Sequence, residues 1–88
     1  MKIVEGERIL KSLDVFQRAS DDQVYRYRFL EDIKTNEFSI VQCDTLYSDF
    51  DDGIYHSQQV YFQNLLMTNW NDRVFYPSIE AAMLAFFE

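Results

Sequence analysis

Cations are scarce in the second part of this chain. From Thr35 to Glu88 there is one, Arg73, against eight carboxylates, whereas residues 1–34 hold seven basic and seven acidic side chains. The whole net charge of −7 therefore belongs to residues 35–88. Such a field repels phosphate backbones and anionic headgroups, so direct nucleic-acid binding and membrane binding are not expected. Cysteine is nearly missing too. A single residue, Cys43, cannot form an internal disulfide. A lone thiol fits a reducing compartment, and a soluble cytoplasmic protein is the expectation. No stretch approaches the ~20 apolar residues that span a bilayer, and the first residues lack the apolar run of a signal peptide. With two glycines and one proline there is little material for linkers. Residues 1–88 are therefore expected to form one domain. One histidine, His56, excludes a paired-histidine metal site. Phosphate-loop, dinucleotide, zinc and nucleophile-elbow motifs are absent.

What the chain has is aromatic side chains: eight Phe and six Tyr, which argue for a packed core rather than disorder. The best-specified stretch runs from Val24 to Tyr47. Tyr25, Tyr27 and Phe29 share one parity, and Arg26 and Arg28 take the other, the alternation of a strand with one buried face. A second run holds Phe38, Ile40, Val41, Cys43, Leu46 and Tyr47. A two-residue loop would set Phe29 opposite Gln42 and Tyr27 opposite Asp44. A three-residue loop, Lys34 to Asn36, sets Phe29 opposite Val41, Tyr27 opposite Cys43, Tyr25 opposite Thr45, Arg26 opposite Asp44, Arg28 opposite Gln42 and Leu30 opposite Ile40. The second register matches apolar with apolar and charge with counter-charge, and it is the one predicted. Asn36 suits the left-handed residue such a loop needs. Cys43 then falls on the core face as a buried thiol, and Arg26 and Arg28 point to solvent.

Ile9, Leu10, Leu13 and Phe16 follow helical spacing, which predicts a helix over 5–18, the alternative being a short strand at Leu13–Gln17. Residues 58–67 fit neither template cleanly. The missing charges between Gly53 and Asn71 favour a strand buried on both faces, followed by a short returning strand at 73–76. Ser78 is a good N-cap for a last helix with Ile79, Ala82, Met83 and Phe86 on one face, and it leaves Phe87 exposed. The predicted fold is α+β, ordered α-β-β-β-(β)-α, with the N- and C-terminal helices packed on one face of a small antiparallel sheet.

The candidate site is acidic. Asp49, Phe50, Asp51 and Asp52 form a loop closed by Gly53, with Asp44 upstream. A Ca²⁺ loop with Gly53 at its sixth position would need ligands where Ser48 and Phe50 stand, so no metal and no cofactor is expected. His56 lies four residues beyond Asp52, but without a second partner it makes a poor catalytic base, and no enzyme activity is expected. A large apolar side chain among three aspartates suits a protein contact. The resulting expectation is a small acidic interaction module that binds and inhibits a basic partner protein, one that itself grips nucleic acid, through Asp44, Asp49, Phe50, Asp51 and Asp52. The alternative is an assembly module, a homodimer formed through a sheet edge or the charge-free segment 53–71.

Overall fold

The computed structural model describes residues 8–49, 52–68, 70 and 73–87. Three strands, β1 (Leu10–Ser20), β2 (Gln23–Asp32) and β3 (Glu37–Tyr47), form an antiparallel sheet in the order β1-β2-β3. Two helices follow, α1 (Asp52–Leu66) and α2 (Ile79–Phe86). The class is α+β, but the order is β-β-β-α-α. The segment expected to open the chain as a helix is strand β1 from Leu10 onward, and residues 58–66, expected as a strand, belong to α1. The returning strand at 73–76 reduces to one bridge, between Tyr76 and Phe38.

The central strand explains the layering. Tyr27 and Phe29 face α2, where they pack with Ala82, Leu13, Val15, Ile40 and Met83. Leu30, one residue on, faces the other way and packs with Val41 and with Phe62 and Leu65 of α1. The helices therefore lie on opposite faces of the sheet, not on one face as expected. Both faces of β2 are covered, so Arg26 and Arg28 are buried, at 6% and 9% exposure, where the sequence had suggested solvent.

The hairpin holds a second correction. From Gln23 to Arg28 the pairing is the predicted one, with Tyr27 opposite Cys43 and Arg26 opposite Asp44. Beyond Arg28 it slips by one, so that Phe29 faces Ile40 and Leu30 faces Ser39. Val41 is the extra residue of a β-bulge. The slip lengthens the loop to four residues, Ile33–Asn36, closed by the pair Asp32 and Glu37. Asn36 takes the left-handed conformation, with φ 58°. The Asp32 carboxylate accepts from the backbone N–H groups of Lys34 (2.9 Å) and Thr35 (3.3 Å), which pins the turn.

The bulge serves both helices. It leaves Phe38 and Ile40 on the α2 side and places Val41, Gln42 and Asp44 on the α1 side. At the far end of the chain the reading of the sequence holds: Ser78 caps α2, its hydroxyl accepting from Ala81 N–H at 3.0 Å.

Candidate functional site

A polar layer lies between β2, β3 and α1. Arg26 donates to Asp44 Oδ2 at 2.8 Å and to Gln58 Oε1 of α1 at 3.1 Å. Gln42 Nε2 donates to Asp44 Oδ1 (3.3 Å) and to the Gln58 carbonyl (3.1 Å). Arg28 donates to Asp14 of β1 at 3.0 Å and lies under the Phe62 ring, 4.3 Å from its centroid. The layer ties α1 to the sheet with charge and amide groups where a usual core would be aliphatic. It leaves Arg26 Nε and Gln42 Oε1 buried without a partner.

Ion pairs within the layer and beside it decide which charges face outward. Among the described residues four of the seven cations stand in ion pairs: Arg8 with Asp32, Lys11 with Glu31, Arg26 with Asp44 and Arg28 with Asp14. Asp44 is thus turned inward, both of its oxygens engaged, and does not stand with the other candidate acids. Asp49 is exposed after β3, and Asp52 is exposed in the first turn of α1. There the partial positive charge of the helix N-terminus favours a carboxylate. Phe50 and Asp51 lie outside the described residues.

One backbone hydrogen bond enlarges the acidic end. Ser48 N–H donates to the Asp22 carbonyl at 2.9 Å, which brings the β1–β2 turn beside the β3–α1 junction. Exposed Asp21 and Asp22 therefore share one end of the sheet with Asp49 and Asp52. Arg18, near the end of β1, is the cation closest to them along the chain. Composition singled out only the second pair, because the hairpin register that joins the two was needed to find the first. Between β3 and α1 at this end is a cleft of ≈ 50 Å³ lined by Thr45, Leu46, Tyr47, Asp49, Ile54 and Gln58. It has the size of a side-chain tip, since metabolite sites measure about 300–1,000 Å³.

His56 is exposed on α1, one turn beyond Asp52. Among the described residues no group of three or more His, Cys, Asp or Glu could hold a metal ion. Cys43 is exposed, not buried, because β3 is an edge strand and Cys43 lines the open groove beside it. Partial desolvation, and then the negative charge of Asp44, push its thiol up, which disfavours the reactive thiolate. Phe87 is exposed as expected, at the end of an aromatic row in which its ring meets Tyr27 edge-on at 5.7 Å and Phe86 at 5.1 Å. No described helix is long and apolar enough to cross a membrane.

Comparison with known protein families, with curated proteins and with solved structures gives no match to this chain.

Proposed function

We propose that this chain is a protein-binding module whose acidic end docks a basic protein surface, of the kind that grips phosphate backbones, and blocks it. The observation that carries the reading is the Ser48–Asp22 hydrogen bond, which gathers Asp21, Asp22, Asp49 and Asp52 into one exposed group. The ion pairs in and around the sheet add to it. They pair four cations with four carboxylates, and the excess of acids over bases in the rest of the chain sets the outer field. Attraction between opposite fields speeds encounter and makes it depend on salt.

The test is affinity capture from the source cell at low and moderate salt, with a variant carrying Asp21→Asn, Asp22→Asn, Asp49→Asn and Asp52→Asn. All four groups are exposed, so each change should alter stability by no more than about 1 kcal/mol, the largest at Asp52 in the first turn of α1. A basic protein retained by the parent chain, released by salt and lost by the variant is the expected result. The purified pair should then show an association rate that falls as salt rises. Retention indifferent to both salt and substitution overturns the reading.

A further inference from the structure

β3 is an edge strand, and its outer edge already holds one strand partner. Phe38 exchanges two backbone hydrogen bonds with Tyr76, each 2.7 Å, in antiparallel sense. Phe38 therefore turns its N–H and C=O away from β2. In an antiparallel ladder alternate residues do the same, so Ile40 follows. The extra residue at Val41 shifts the parity, and beyond it the outward groups belong to Cys43 and Thr45. Among the described residues, no backbone group other than that of Tyr76 pairs with this edge.

Open edges are usually guarded by Lys, Pro or a covering element. From Glu37 to Tyr47, β3 has neither a cation nor a proline. β1, the other edge, carries Lys11 and Arg18. The β3 edge runs along the floor of a groove of ≈ 450 Å³, with Ser57, Gln58 and Tyr61 of α1 on one side and Phe86 of α2 on the other. Tyr61 and Phe86 are 56% and 47% exposed, so each wall offers a large ring to whatever enters.

We propose that this groove receives an extended, cationic segment of the partner protein as an added strand alongside residues 40–46. The inference rests on the acidic-end reading and specifies how the partner is held. Backbone hydrogen bonds to Ile40, Cys43 and Thr45 supply affinity, as in other strand additions, and alternate side chains of the guest meet Tyr61 and Phe86. Charge selects the guest. The edge holds no cation, and its Tyr47 end leads directly to Asp49 and Asp52. A second copy of the chain would instead bring a net −7 against −7.

The test uses the full chain labelled with ¹⁵N and a set of capped octapeptides in which Lys or Arg alternates with Val, Phe or Tyr. Each peptide is also made with its alternate backbone nitrogens methylated, which removes strand-forming donors and leaves the charge unchanged. The expected result is slowed amide exchange at Ile40, Cys43 and Thr45, and roughly tenfold weaker binding of the methylated forms. Equal affinity of methylated and parent peptides, with shifts confined to the surroundings of Asp21, Asp22, Asp49 and Asp52, overturns strand addition and leaves the acidic end intact as a docking site. Edge protection that survives the four Asp→Asn changes and high salt does the reverse. Protection that grows with protein concentration in the absence of peptide assigns the edge to a second copy and overturns the proposal. Failure of every peptide to bind at millimolar concentration also overturns it.

Discussion

Arg26 has almost no access to water, yet it keeps its charge because Asp44 and Gln58 both accept from it. Desolvation pulls its pKa down, but the Asp44 hydrogen bond and charge outweigh that, and the net shift is upward. Removing one member of such a pair strands the other, at a cost of about 3 kcal/mol. Asp44→Ala should therefore lower the unfolding free energy by that order in urea titration. Adding Arg26→Met removes the stranded charge, so the double variant should recover part of the loss. A double variant less stable than the single would mean that the guanidinium is not stranded when Asp44 is missing. Asp32 poses a related question at the other end of the sheet. Burial alone would raise its carboxyl, but the Lys34 and Thr35 N–H groups and Arg8 lower it below the ordinary carboxylate value. A lowered folded pKa stabilises the fold at pH above the unfolded value of about 3.9, and that contribution is lost as pH falls through the folded pKa. The stability gap between the parent chain and Asp32→Asn should thus be widest near neutrality and narrow below about pH 4. A gap independent of pH would show that the carboxylate charge is not what the turn uses.

Among the elements, β1 and α1 were the two that the sequence disguised, and for one physical reason. Each meets the buried Arg26 and Arg28 side chains of β2 through a polar residue of its own. The β1 residue that meets Arg28 is Asp14, and the α1 residue that meets Arg26 and Gln42 is Gln58. Apolar periodicity therefore misses the sheet-facing stripe 58-62-65 of α1, because its first position is an amide. In β1 it joins Leu10 and Phe16 to Leu13, although they lie on opposite faces. By contrast, β2 and β3 were legible through their alternating rings and charges, and α2 through Ser78 and its apolar face. The acidic end was half legible: Asp49 and Asp52 stand out in composition, while Asp21 and Asp22 join them only through the fold. The same polar seating makes α1 the looser element. Of its fifteen residues only Phe62 and Leu65 are buried, whereas five consecutive residues of β2, Arg26 to Leu30, are. Native-state hydrogen exchange should release the amides of α1 well before those of β2. Equal protection in the two elements would show that the polar layer binds α1 as firmly as an aliphatic core would.

At the scale of the whole molecule, a sheet of three strands stands between two helices, with extents of 45 × 29 × 19 Å. Arg8, Lys11, Arg26 and Arg28 are held in ion pairs, and one end of the plate is acidic. The bulge at Val41 makes this arrangement possible, and it also gives the chain a spare residue. If Val41 is deleted, Ile40 still meets Phe29 and Gln42 still meets Arg28, now as neighbours in an unbroken ladder. Excision of Ile40 or Gln42 can be absorbed in the same way, with Val41 dropping into the vacant slot. Excision of Phe38 or Asp44 has no such reserve nearby. Single-residue deletions across β3 should therefore yield folded protein at 40, 41 and 42 and lose it on either side, as read by far-ultraviolet circular dichroism and urea titration. Loss of the Val41 side chain itself should cost about 1.5 kcal/mol of burial. For this chain, then, length and register are partly independent, and a shorter hairpin can carry the same two faces.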